Sequence, residues 1–205
     1  YGDHRDLHLS IRRQRQMCIR DRLSIMDEEF KKEIELSLKK SKPHTKFDEF
    51  KKWIPSIIIF PIALYWVLNR GEYGLIDNAD LVIHEAGHLF FKFFGDYIYT
   101  LGGTLMQIIL PSIIFFYFFR SEYRTGMQFS SLWLGQNFIN ISVYAADAQA
   151  RRLPLLGGNS VYHDWHYLLS EIGLLQYDAE VGYFFFSLAI IIFIIALIMP
   201  LITQN

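Results

Sequence analysis

"LVIHEAGHLFF", residues 81–91, decides how this chain is read, because two histidines and a glutamate stand in an otherwise apolar run. On a helix, positions i and i+4 lie one turn apart on one face, so His84 and His88 can present two imidazoles to one ion. Glu85 points roughly 100° further round the axis and can reach a water on that ion. The pattern H-E-x-x-H therefore supplies two metal ligands and a general base on one rigid support. An ionisable residue inside a membrane helix costs about 2.5–3.5 kcal/mol on insertion scales, so three in one helix need a reason. Coordination supplies it, since neutral imidazoles bind the ion and the glutamate bonds to its water. A polar helix interface without metal is the plain alternative.

The rest of the chain says what surrounds the motif. Of 205 residues, 52% are hydrophobic and 17% aromatic, with mean hydropathy above zero. An ordinary soluble domain has about 45–50% apolar residues. Charge concentrates in residues 1–52. The net charge of −1 gives a nucleic-acid partner no electrostatic support. A single cysteine, Cys18, excludes a disulfide framework and a thiolate zinc cluster.

Residues 1–25 lack periodicity and an apolar h-region, so they are not a signal peptide. "RRQRQMCIRDR" resembles translated adaptor sequence, and this segment is expected to be non-native or disordered, with the native chain starting at Met26. A genuine basic tail is the competing reading; no chemistry is taken from His4, His8 or Cys18. Residues 26–52 are expected to form a cytoplasmic amphipathic helix and linker, with Phe30, Ile34 and Leu38 on one face. His44 reads as a solvated loop residue.

Residues 53–205 read as the membrane-embedded domain. "WIPSIIIFPIALYWVL" (53–68) has sixteen uncharged residues, short for a span of about 20. Flanking lysines and boundary tryptophans make it workable, and membrane helices tolerate kinks such as those expected at Pro55 and Pro61. Asp77 or Asn78 is expected to cap the motif helix, which runs to about Phe94. "YIYTLGGTLMQIILPSIIFFYFF" (97–119) and "VGYFFFSLAIIIFIIALIMPLI" (181–202) are clear spans, and "FSSLWLGQNFINISVYAA" (129–146) is a more polar one. The expectation is an all-α polytopic membrane bundle of about five embedded helices. Lysines before the first span, and Arg151 and Arg152 after the fourth, place the N-terminus and the motif end in the cytoplasm. Arg120 and Arg124 oppose that placement.

"HEAGH" in an apolar helix of a multi-span chain resembles the membrane-embedded zinc metalloproteases of the site-2 protease class. The resemblance implies cleavage of a membrane-associated polypeptide within or beside the bilayer, near the cytoplasmic face, in the inner membrane of a prokaryote. It implies Zn²⁺ as cofactor and Glu85 as the residue activating the water. "HEAGH" also occurs in membrane-anchored AAA proteases, but this chain lacks their nucleotide-binding loop. It departs from the site-2 class in one respect: no Asp-Gly dipeptide follows the motif to supply the third ligand.

Two candidates for that ligand stand out. Asp147 ends a polar stripe of Asn137, Asn140 and Tyr144, with Gln136 alongside. His163 opens "HDWH" (163–166), where Asp164 could hold its tautomer. His163 is favoured, because a third imidazole suits borderline-soft zinc. The plain readings are an interfacial helix with Trp165 and Tyr167 at headgroup level, and a helix-end Asp147 beside Arg151. Gly102 and Gly103 either admit an extended substrate or, more simply, permit close helix packing. Asn137, Asn140 or Gln107 is expected to stabilise an oxyanion. The rival enzyme is a di-iron lipid desaturase or hydroxylase using both histidine pairs. That class resembles itself in carrying about eight histidines, and this chain has five after Met26. A non-catalytic metal-binding membrane protein is the third reading.

Overall fold

Glycine, proline and charged turns divide the chain into helices, and no strand occurs among the described residues, which in this computed structural model are 28–40, 46–153 and 162–203. The expectations for residues 1–25, Met26 and His44 lie outside them. The chain divides into two units, residues 1–49 and 50–205. In the first, α1 (Glu28–Lys40) leaves Phe30 and Ile34 exposed.

Helix α2 spans Lys46–Leu68. The charged residues 46–52, expected to be linker, belong to the same helix as the apolar run, since no glycine or proline stands among them. Counted from Glu49, the stretch apolar enough to cross has 20 residues, which at about 1.5 Å per residue matches a hydrocarbon core of about 30 Å. Helix α3 (Leu75–Phe91) carries the motif and tightens into a 3₁₀ turn at Lys92–Phe94. It starts earlier than expected, on Gly74, and Asp77 acts from its third position by accepting the Gly74 N–H. Gly95, at φ +86°, makes the left-handed step that only glycine takes cheaply. Helices α4 (Asp96–Arg120), α5 (Arg124–Ala146), α6 (Asp164–Glu171) and α7 (Asp178–Ile202) complete the unit.

Three helical stretches are long and apolar enough to cross a membrane: Glu49–Leu68, Asp96–Arg120 and Leu175–Ile202. The other two helices expected to be embedded, α3 and α5, do not join them on length and composition. α3 has only 17 residues. α5 is too polar, but it is also the interior helix, with α4 and α7 packed against it. Its Gln128, Ser130, Ser131, Gln136, Asn137 and Ser142 are all buried.

These interior polar groups pair across helices. Gln128 Nε2 donates to Ser56 Oγ (2.8 Å) and to the Ala196 carbonyl (2.9 Å), and Ser56 Oγ donates to the Leu197 carbonyl. α2, α5 and α7 are thus tied at the level of Ile59, Leu132 and Phe193 in the core. Arg70 closes the same side, donating to the Ser142 carbonyl and lying over the Phe186 ring, 4.7 Å from its centroid. A membrane gives helices little hydrophobic reason to associate, so such bonds and close backbone approach do the work.

Close approach sets the α3–α4 contact. A Cβ added to Gly87 would overlap the Gly102 carbonyl, and one added to Gly102 would stand 2.8 Å from the Gly87 carbonyl oxygen. Backbone atoms cannot move aside as a flexible side chain can. Gly87→Ala is therefore expected to destabilise the bundle by about 1–3 kcal/mol, the usual cost of overpacking, despite alanine's better helix propensity. Thermal unfolding in detergent checks this; an unchanged midpoint would show that α3 and α4 separate freely.

Candidate metal centre

His84 and His88 lie on the face of α3 that packs on α4, and both are buried. Each ring has its Nδ1 against a carbonyl oxygen: His84 on Gln107 Oε1 at 3.0 Å, His88 on the Tyr99 carbonyl at 2.8 Å. A carbonyl only accepts, so each ring donates its Nδ1–H there and keeps a bare lone pair on Nε2. Both Nε2 atoms face one atom, Asp164 Oδ2, at 2.9 and 3.3 Å. The three ligand atoms lie within 4.8 Å of one another.

Three acceptors turned toward a common point repel unless a cation stands among them. This group could hold a metal ion. The donor set fits one: two imidazole nitrogens with tautomers fixed by outer partners, plus one carboxylate, is an established three-ligand pattern that leaves a coordination position open.

The carboxylate that the structure sets beside both imidazoles is Asp164, where His163 or Asp147 was the expected third ligand. His163 is the N-cap of α6, and its Nδ1 turns back to accept the His166 N–H at 3.2 Å. Its Nε2 then points to Asp147 Oδ2, 3.5 Å away. Burial pushes the His163 imidazole down, with the Asp147 charge partly opposing. Asp147 also accepts the N–H groups of Arg152 (3.0 Å) and Leu153 (2.9 Å), closing the turn after α5. His166 donates from Nδ1 to the Ala148 carbonyl at 2.8 Å. The second histidine pair thus fastens α6 to the end of α5, and only its aspartate reaches the centre. Tyr144 adds to the fastening, its Oη accepting the Asp164 N–H at 3.1 Å.

The two glycines of "GGTLMQ" serve packing. A Cβ on Gly103 would overlap the His84 ring, and Gly102 meets Gly87 and Phe91. Gln107, one turn on, orients His84 through its Oε1. The polar stripe of α5 has partners that sequence reading missed, Asp77 and Asp80 of α3. Asp77 Oδ1 accepts from Gln136 (2.6 Å) and Asn140 (2.7 Å). Asp80, only 1% exposed, accepts from Trp133 (2.8 Å), Asn137 (3.3 Å) and Asn140 (3.3 Å). Two of the amides expected to stabilise an oxyanion, Asn137 and Asn140, are thus occupied in docking the motif helix.

Beside the three ligands lies a cavity of about 910 Å³. His84, Glu85, His88 and Asp164 line it, as do Asp77, Asp80 and Tyr144. Glu85 is exposed into it, one residue from His84. The arrangement can therefore bring a cation, a carboxylate base and a polar substrate together in one chamber. No family model, curated protein or solved structure matches the chain.

Asp164→Ala is expected to lose most of the metal bound by wild type, and His163→Ala to keep it, measured by elemental analysis of detergent-purified protein. The reverse outcome would return the third position to His163. Gln107→Leu removes the acceptor for His84 Nδ1 and is expected to weaken metal binding about 10–100-fold, as outer-partner losses do, read by chelator competition.

Proposed function

We propose that the chain is an integral membrane zinc-dependent endopeptidase acting on a membrane-associated polypeptide. The observation that carries this reading is the pair of tied-off imidazoles facing Asp164, with Glu85 in the wall of the same cavity. Two nitrogens and one carboxylate suit zinc better than a hard oxygen-seeking cation. Bound there, zinc would polarise a peptide carbonyl and make a nearby water more acidic.

The chain's own groups supply the rest. Gln107 and the Tyr99 carbonyl hold the two rings at fixed orientation, so their lone pairs need no reorganisation. Glu85 takes the proton of the water that attacks the carbonyl carbon, then passes it to the leaving amine. The acidic lining keeps water in a site otherwise enclosed by apolar helices.

With α3 and α5 counted, five helices would be membrane-embedded. The outward face of α3 supports this for the motif helix: Val82, Leu89 and Phe90 are 69, 70 and 64% exposed, a surface that suits lipid and not water. A substrate in the bilayer would then meet the centre at its own depth. The basic residues before the first span and after α5 favour a cytoplasmic N-terminus in a prokaryotic inner membrane.

Glu85→Gln is expected to abolish cleavage of a fluorogenic transmembrane peptide in lipid vesicles, with zinc staying near one equivalent per chain. Undiminished turnover in that variant would exclude the mechanism and leave a metal-binding protein that catalyses nothing. Stripping zinc with a chelator should silence the wild type, and zinc should restore it.

A further inference from the structure

We propose that Tyr144 is a catalytic residue, its phenolic proton stabilising the substrate carbonyl oxygen as that oxygen becomes an oxyanion. The inference rests on the peptidase reading above and names the donor which that reading lacks.

Hydrolysis of an amide builds negative charge on the carbonyl oxygen, and a preorganised donor at that point is among the largest single contributions to such a reaction. The α5 amides that could have served are engaged, Asn137 and Asn140 donating to Asp77 and Asp80; Gln107 is anchored by its Oε1 on the His84 ring, which leaves its Nε2 as the competing donor. Thr100 Oγ1 donates to the Asp96 carbonyl, and Tyr73 Oη donates to Asn78.

Tyr144 differs in three respects. It lines the cavity that holds the three ligands and Glu85. Its ring packs edge-on to His84, with centroids 5.9 Å apart. Its oxygen hydrogen-bonds a ligand residue, accepting the Asp164 N–H at 3.1 Å. That bond uses a lone pair, and the hydroxyl proton lies against the Asp164 side chain, the acceptor that a substrate oxygen would replace. The other side of the ring rests on His163, at 4.4 Å between centroids, and His163 is itself held by Asp147. The hydroxyl is thereby fixed from both sides beside the candidate metal ligands.

The sequence of bonds is then complete. Water oxygen bonds to the carbonyl carbon while its proton goes to Glu85. The carbonyl π pair moves to oxygen, which accepts the Tyr144 hydrogen bond. The pair returns as the C–N bond breaks, and Glu85 delivers the proton to the amine.

The test is Tyr144→Phe in the full chain, reconstituted in vesicles with a fluorogenic transmembrane peptide, beside wild type and Glu85→Gln. Loss of one such donor lowers kcat about 10²–10³-fold, so that loss is expected, with KM little changed and zinc near one equivalent. A phosphinic peptide, which mimics the tetrahedral state, should lose affinity where an uncleaved substrate analogue does not. Wild-type kcat in Tyr144→Phe overturns the assignment and leaves the peptidase reading standing. Loss of zinc together with activity overturns it too, because Tyr144 would then act only by positioning Asp164. A zinc-loaded wild type that cleaves nothing removes both proposals.

Discussion

Two ring nitrogens and one carboxylate oxygen face each other in this protein with no hydrogen to share, because both rings have given theirs to carbonyls. That constraint organises everything nearby. Gly103 is bare so that α4 can pass the His84 ring, and only then does Gln107 reach its Nδ1. The Tyr99 carbonyl does the same for His88 one helix turn away. Three acceptors converging in a buried place would be unfavourable by themselves, so the arrangement makes physical sense around a cation.

The same accounting governs the remainder of the interior. α5 carries amides and hydroxyls at helical spacing, and the bundle pairs them with a second set on α2, α3 and α7. Asp77 and Asp80 are neutralised by no lysine or arginine among the described residues; indole and amide N–H groups hold them instead. Such groups are costly when left alone and directional when paired. They fix the rotation of α3 about its axis, and with it the direction in which the motif histidines point.

Some of this was legible in the chain and some was not. His84, Glu85 and His88 announce themselves by spacing, since a helix has only one way to set residues four apart. The long apolar stretches announce three helices equally well. The first span reads as short though workable, because the charged residues before Trp53 suggest a boundary, although charge does not end a helix and no breaker stands there. The stripe on α5 was visible as a stripe, but its partners were not, because i,i+3 aspartates at a helix start look like dipole and capping residues. Beside the two imidazoles stands Asp164, next in sequence to the favoured His163. In "HDWH" the imidazole seemed the better zinc donor, yet the residue at an N-cap bends its side chain back toward its own helix. The first residue inside the helix is the one free to project outward, and the start of α6 at Asp164 was the missing datum.

The chamber has an electrostatic sign. Glu72, Asp77, Asp80, Glu85, Asp96 and Asp164 border it, and no lysine or arginine does so among the described residues. Anionic walls in a low-dielectric surround concentrate cations, so a divalent ion would enter downhill. The same walls repel anions, and peptide hydrolysis turns a neutral amide into a carboxylate. A site of this kind would draw in its metal and push out its acid fragment by one and the same field, making turnover sensitive to ionic strength.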